Sequence, residues 1–364
     1  MISKIEIKNF KSLKKINIEV KQLNLLMGLN GMGKSSLIHA LLVLRQSKEL
    51  SNGKIDLNGD LVEIGKGKDA MYQYSQKEDI DINLNANNSD IHFDFKYKPE
   101  SDFLISEKKY LSDYFKSISL FNSNFQYLRA ERTGPATVYD TSYEDVVIKR
   151  QLGNSGQFAP FFLHSYGNEK IEFEDLLHEK AKSSILLHQV EAWLSEISPG
   201  IKLNTTEIPG TEKVILDFQF ETGSLYTNRF RPTNVGFGLT FVLPVIVSLL
   251  SIKKDKLIII ENPESHIHPR GQVELGKLIS LAAKSGAQIF VETHSDHIIN
   301  GIRLSVKEKL IDKKEVCIFN FEKITTDDEQ YSIANIINVD DKGELSEYPN
   351  NFMDEWSNQM LKLL

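Results

Sequence analysis

An α/β fold is what the sequence predicts, and three observations predict it. Helical and strand patterns alternate along the second half: helix near 236–251, strand 257–260, helix near 270–284, strand 289–291, helix near 295–305, strand 316–321. Such alternation marks a parallel sheet with crossover helices. A glycine-rich turn, Gly28 to Gly33, joins the nearly continuous apolar strand Leu23–Met27 to an apolar helix running from Lys34 to about Ser47. A strand apolar on both faces is one buried on both. Finally, 79–84 and 91–97 alternate strictly, as antiparallel strands with one wet face do.

The remaining elements follow in order. Ile5 and Ile7 point one way and Glu6 and Lys8 the other, the pattern of a half-buried strand. Asn9 to Ser12 breaks it, and 16–20 alternates again. From about 140 to 198 the texture is helical, with amphipathic stretches at 157–164 and 173–197. Alternation returns at 201–208 and 214–220, and a short amphipathic piece covers 352–364. Repeats, low-complexity tracts and a clear linker are missing, so the region of about 50–230 reads as an insertion within one α/β domain.

Composition narrows the class. The chain has 364 residues, 41% hydrophobic and 26% charged, a balance that excludes disordered and fibrous classes. A net charge of −7 excludes a constitutively basic nucleic-acid coat, though not a local basic strip. The single cysteine, Cys317, excludes a disulfide framework and a Cys-based zinc site, and it fits a reducing cytosol. No charged-then-apolar leader opens the sequence. The longest apolar run, 241–252, carries Pro244 and Ser248 and is short of the ~20 residues a membrane span needs. A cytoplasmic protein without a membrane partner is expected.

Gly28-Leu29-Asn30-Gly31-Met32-Gly33-Lys34-Ser35 fulfils G-x-x-x-x-G-K-[ST] between a buried strand and a helix, the context the motif requires. Glycines let backbone N–H groups turn inward around phosphate oxygens, and the helix N-terminus adds partial positive charge. Lys34 is placed to reach β- and γ-phosphates, and the Ser35 hydroxyl can ligate Mg²⁺. A nucleoside triphosphate is therefore the expected ligand. Farther on, the apolar strand 257–260 runs into Glu261-Asn262-Pro263-Glu264. Ligands of open α/β sheets sit at the carboxyl ends of strands, which places Glu261 to hold Mg²⁺ directly or through water.

These runs resemble a known group. Ile258 to Pro269, reading Ile-Ile-Ile-Glu-Asn-Pro-Glu-Ser-His-Ile-His-Pro, resembles the apolar-strand, Asp-Glu-Pro-Glu, Leu-His-Pro pattern of ABC-class ATPases of the OLD, RecF and SMC type. Asn9-Phe10-Lys11-Ser12 is similar to the N-F-[KR]-S start of that group. Asn30-Gly31-Met32-Gly33-Lys34-Ser35-Ser36 is similar to its N-G-x-G-K-S-[ST] loop, and Val291-Glu292-Thr293-His294-Ser295 to its T-H-S loop. More loosely, 125–132 and 347–352 resemble stand-alone prokaryotic AAA-labelled ATPases related to OLD proteins and found in defence systems.

The resemblance implies a P-loop ABC-type ATPase head with an antiparallel β lobe and a mainly helical insertion. The head would take 1–50 and 230–364, the lobe 51–130, and the insertion with its return strands 131–229. It implies ATP and Mg²⁺ as ligands. Lys11, Asn30, Gly31, Met32, Gly33, Lys34, Ser35 and Ser36 would contact the nucleotide, Ser35 and Glu261 the metal, and His294 the γ-phosphate. Asn234-Val235-Gly236-Phe237-Gly238 is similar to a reduced form of the family signature. Asn234, Gly236 and Gly238 would then touch ATP held by a second copy, giving a homodimer or higher oligomer that closes on nucleotide. The resemblance makes His266 and His268 part of the loop that crosses the dimer interface; beside them no further ligands stand at metal spacing.

One departure matters. The family's metal-binding Asp maps to Glu261, whereas its general-base Glu maps to Asn262, which can orient a water but cannot accept its proton. Slow hydrolysis assisted by Glu264 or a partner group is expected. Gln46 lies about 12 residues beyond Lys34 on one helix, ~18 Å away, so Gln73 or Gln76 is the better candidate for the family's glutamine loop. No heptad pattern persists between phosphate loop and signature, against a coiled-coil arm. Asp327-Asp328 and Asp340-Asp341 lack nuclease spacing. Lys8, Lys11, Lys14, Lys15, Arg229, Arg231, Lys253, Lys254 and Lys256 are candidates for DNA contact. Two functions follow: an ATPase serving DNA surveillance, repair or anti-phage defence with a separately encoded effector, or an ATP-held regulatory scaffold without DNA contact.

Overall fold

The structure, a computed structural model, describes residues 1–110 and 112–349 together with Met360 and Lys362, with the side chains of 112–114 outside the description. The amphipathic piece expected over 352–364 falls outside the described residues apart from those two. In chain order the first elements are β1 (Ile2–Phe10), β2 (Leu13–Glu19), β3 (Leu23–Met27), α1 (Lys34–Gln46), β4 (Lys54–Asp56) and α2 (Gly67–Ala70). There follow β5 (Asp79–Ala86), β6 (Ser89–Lys96), β7 (Phe103–Ile105), α3 (Ser112–Ser117), β8 (Phe125–Leu128), β9 (Tyr139–Asp140), α4 (Ala159–Tyr166) and α5 (Leu186–Ser195). The last are β10 (Ile201–Glu207), β11 (Lys213–Thr222), β12 (Leu225–Tyr226), α6 (Phe237–Leu250), β13 (Leu257–Glu261), α7 (Pro269–Lys284), β14 (Gln288–Glu292), α8 (Asp296–Lys307), β15 (Val316–Thr325) and β16 (Gln330–Ile337).

Two compact units divide the chain: Met1–Asn124, Val316–Asn338 and Leu345–Leu364 in the first, Phe125–Glu315 and Val339–Glu344 in the second. In the first unit an antiparallel sheet runs in the order β2-β1-β5-β6-β7-β4. Its buried face is the alternating set read from sequence: Ile7 opposes Ile82, which opposes Phe93, and Ile80 opposes Phe95. Asn87 and Asn88, both left-handed, close the β5–β6 hairpin, as the twist of a two-residue turn demands. The same unit holds β3, buried along its whole length, with β15 parallel to it and β16 antiparallel to β15.

In the second unit β13 runs parallel to both β14 and β8. Helix α6 is apolar nearly all round and correspondingly buried, packing against α4, α5, α7 and β8. A separate antiparallel set joins β10, β11 and β12, with β9 on β11.

One expectation is corrected. The stretch 173–197 is not one helix. A single 3₁₀ turn at Glu174–Leu176 is followed by a loop, and only Leu186–Ser195 is α-helical. The loop is held on the helix instead: the His178 amide donates to Gln189 Oε1 at 2.7 Å and Trp193 Nε1 donates to the Leu176 carbonyl at 3.1 Å. Its Lys-Ala-Lys-Ser-Ser run has no apolar side chain at helical spacing to bury. β8 and β16 are strands that the sequence pattern did not single out, and Tyr143–Ile148 forms a π-helical turn. Among the described residues no helix is long and apolar enough to cross a membrane.

Candidate functional site

The phosphate loop lies in the first unit. β3 delivers the chain to Gly28, and Gly28, Gly31 and Gly33 all have positive φ, 127°, 77° and 106°, a region where a Cβ is strained. Helix α1 then starts at Lys34 with Gly33 as its N-cap and no side chain capping it. The first-turn amides therefore face the loop, the arrangement that receives a phosphate. Lys34 is buried, and its ammonium donates back across the loop to the carbonyls of Gly28, 2.8 Å, and Leu29, 3.0 Å. Asn30 and Gly31 are exposed at the tip, while Met32 and Ser35 are half-buried and Ser36 is buried.

Lys11, in the left-handed turn between β1 and β2, does not point freely to solvent. Its Nζ lies 2.9 Å from His39 Nδ1 on α1, and burial lowers the pKa of both groups. His39, further disfavoured by the Lys11 charge, falls to about 4, so the pair holds its proton on the lysine at neutral pH. Gln46 is not free for a ligand either: its amide bonds the Asp56 and Val62 carbonyls and accepts from the Val62 amide. Gln73 and Gln76 are exposed.

The acidic turn lies in the second unit, at the carboxyl end of β13. Glu261 accepts the Tyr127 hydroxyl at 3.1 Å on one oxygen and the Ala130 amide at 3.2 Å on the other. Burial nevertheless pushes its carboxyl above the usual range. Asn262 takes a left-handed φ of 45° and donates its amide to the Glu292 carbonyl, while its Oδ1 is buried without a partner. Glu264 accepts the His294 amide at 2.8 Å on Oε1, and its Oε2 is buried without a partner. Burial raises its pKa, partly offset by that amide and by Thr293. The His294 side chain is exposed beside it.

Arg132 is the residue sequence reasoning missed. Nearly fully buried, it donates to the carbonyls of Arg129, Phe241, Glu261 and Asn262 at 3.2, 2.9, 2.7 and 2.6 Å. One guanidinium thus ties β13's acidic end to the first turns of α6. Burial pulls it down to about 10, with Glu264 and Glu261 opposing the shift. The signal was its place at the end of the 125–132 stretch; nothing in that spacing revealed the carbonyls it would meet.

The glycines of the signature stretch divide. Gly236 is open, whereas a Cβ on Gly238 would lie 2.2 Å from the His266 carbonyl, so this glycine serves helix-to-loop packing. His266 packs edge-to-face against the stacked Phe237 and Phe241 rings, 5.0 and 4.8 Å between centroids, and His268 Nδ1 accepts the Arg270 amide to cap α7. Among the described residues no three His, Cys, Asp or Glu side chains gather as a metal cluster. Of the DNA candidates, Lys14 pairs with Glu329, and Lys256 is buried, its pKa drawn down to about 8 by desolvation, so burial keeps its ammonium from a surface ligand. Arg229 and Arg231 are exposed.

A glycine-built phosphate loop opening a helix, and half-buried carboxylates following a parallel strand, are the features of a P-loop ATPase. Residues 23–300 match the family model described as "AAA domain, putative AbiEii toxin, Type IV TA system", and the chain belongs to that family. Residues 311–363 match a second model, DUF3696, a family of unknown function. No curated protein matches the sequence. Among solved structures the fold is similar to an SMC head bound to the C-winged helix domain of ScpA, at 15% identity and a TM-score of 0.53, covering 93% of this chain and 98% of that one. It is also similar to an SMC head with an extended coiled coil bound to the C-terminal domain of ScpA from Pyrococcus furiosus, at 14% identity and a TM-score of 0.50, covering 92% and 96%. The fold is that of an SMC head.

Proposed function

We propose that the protein binds ATP with Mg²⁺ and hydrolyses it slowly, and that two copies close on the nucleotide. In this reading the cycle serves DNA surveillance, repair or anti-phage defence through a separately encoded effector, as in OLD-related ATPases. The observation that carries the reading is Glu264, a half-buried carboxylate with one oxygen on the His294 amide and the other buried and unpartnered. Its Oε2 is the group able to accept the proton of an attacking water, while Oε1 stays anchored. Asn262 can orient that water through Oδ1 but cannot take its proton.

The loop amides, Lys34 and Ser35 would hold the phosphates, with Ser35 and Glu261 offering oxygens to the metal. Mg²⁺, when bound, neutralises phosphate charge. Gly236 and Asn234, open at the N-terminus of α6, would meet phosphate held by the other copy. SMC heads are recorded in complex with ScpA domains, which supports a protein partner for a head of this shape.

The scaffold reading, in which ATP holds an assembly and barely turns over, is favoured by Asn262 in the base position and by Glu261 having both oxygens already engaged. Steady-state hydrolysis with and without DNA separates the two. Slow turnover stimulated by DNA, with ATP binding weakened about 100-fold in Lys34→Ala, supports the first. Tight binding without turnover, indifferent to DNA, supports the second. A protein that stays monomeric in light scattering with ATP and Mg²⁺ excludes the two-copy model.

A further inference from the structure

The phosphate loop is gripped from within its own unit by the hairpin β15–β16, which falls inside the segment matching a family of unknown function. Both ends of the loop touch it. A Cβ on Gly28 would lie 2.3 Å from the Phe321 carbonyl oxygen on β15. A Cβ on Gly33 would lie 2.5 Å from Ser332 Oγ and 2.7 Å from Ser332 Cβ on β16. The two glycines are therefore required by the hairpin as well as by their positive φ. The hairpin is in turn fixed to the β1–β2 turn. The Ser332 amide donates to the Ser12 carbonyl at 2.8 Å, Tyr72 donates to Glu329 at 3.1 Å, Glu329 pairs with Lys14, and the Lys14 ammonium sits 5.2 Å over the Tyr331 ring.

We propose that β15–β16 is the buttress that sets the shape of the phosphate loop, with Ser332 as its positioning residue. The inference rests on reading Gly28 to Ser35 as a nucleotide site. Two features of Ser332 carry it. Its side chain is fully buried directly against Gly33, so any added bulk displaces the last glycine of the loop. Its hydroxyl is also buried without a partner, although Ser12 Oγ, itself 3.2 Å from Ser36 Oγ, lies against the same glycine. A buried hydroxyl with no partner destabilises this arrangement of the loop. When the loop amides turn onto phosphate, Gly33 and its serine neighbours shift, and the Ser332 hydroxyl gains a partner. A contact made only in the bound state raises affinity for the ligand that selects that state.

The test is titration of the full chain with a fluorescent ATP analogue, alongside thermal unfolding and amide hydrogen exchange. Ser332→Ala should leave the melting temperature unchanged or higher, yet weaken nucleotide binding about 10-fold, the worth of one hydrogen bond. Ser332→Val, which adds bulk toward Gly33, should weaken binding further and raise KM with kcat retained. In nucleotide-free Ser332→Val, exchange should quicken over 28–36 and stay unchanged over 257–261. An alanine variant that melts lower but binds normally would make Ser332 a packing residue and overturn the proposal. So would a valine variant with wild-type exchange in the loop. If wild type and Lys34→Ala fail alike to bind nucleotide, the nucleotide reading falls, and loop exchange in Ser332→Val still decides the buttress.

Discussion

The phosphate loop and the acidic turn hold their ligand-facing groups by opposite means. The loop is built from backbone: three glycines at positive φ, a helix N-terminus and one lysine, all within eight consecutive residues. The acidic turn is built from desolvated side chains, Glu261 and Glu264, restrained by Tyr127, Ala130, Arg132 and His294 from well separated parts of the chain. Backbone geometry survives most side-chain changes around it that add no bulk against its glycines. A buried carboxylate depends on every donor that touches it, because each loses solvation that only a bond can replace. The acidic turn is therefore the more fragile region and the one where substitution speaks most clearly about mechanism.

The largest effect is expected at Glu264. Glu264→Gln keeps shape and the His294 contact but removes the proton acceptor, and kcat should fall ~10²–10⁴-fold with KM for ATP nearly unchanged. The acid limb of the pH profile adds a second check. A base works only when ionised, and burial raises the Glu264 pKa, so wild-type activity should be lost on acidification at a pH above the ordinary carboxylate value of 4.5. That limb should vanish from the residual activity of Glu264→Gln. Equal kcat in the two proteins would remove Glu264 from the chemistry and leave the comparison without its mechanistic half.

Next comes Arg132. Arg132→Met leaves the carbonyls of Phe241, Glu261 and Asn262 without their donor, and should cost roughly 3 kcal/mol in denaturant unfolding. Arg132→Lys keeps the charge but cannot reach four carbonyls with one ammonium, and should recover only part of that stability. The sharper readout is regional: nucleotide affinity, set by the phosphate loop, should hold in Arg132→Lys while kcat drops. Loss of both together would mean that the two regions are not separable in this way.

The same contrast explains what could be read from sequence. The loop was legible because its chemistry is contiguous: strand, glycines, Lys34 and helix all lie inside one motif whose spacing is its geometry. Glu261, Asn262 and Glu264 were legible as a strand-end run. What Asn262 and Glu264 do was not, because Arg132 and the His294 amide reach them only through the parallel pairing of β8, β13 and β14. β16 escaped because its burial does not alternate: Ser332 is fully buried while its apolar neighbour Ile336 is exposed. The loop at 177–185 was misread as helix because helical residues flank it, though its own Lys-Ala-Lys-Ser-Ser run has nothing to bury.

The smallest effect belongs to Asn262→Glu, which restores the family's carboxylate. Its turnover should rise, by less than about 10-fold, for two physical reasons that oppose the gain. Asn262 sits at φ 45°, a conformation asparagine tolerates better than glutamate, so the new side chain arrives with backbone strain. It also places a second carboxylate two residues from Glu264, and like charges in a buried turn raise each other's pKa. The acid limb should therefore move to higher pH even as the plateau rises. The double variant Asn262→Glu with Glu264→Gln removes that repulsion and isolates position 262. Recovery of turnover there would show that a base at either position can reach the water. A double variant as inactive as Glu264→Gln alone would restrict proton acceptance to position 264, where the structure leaves a buried oxygen free.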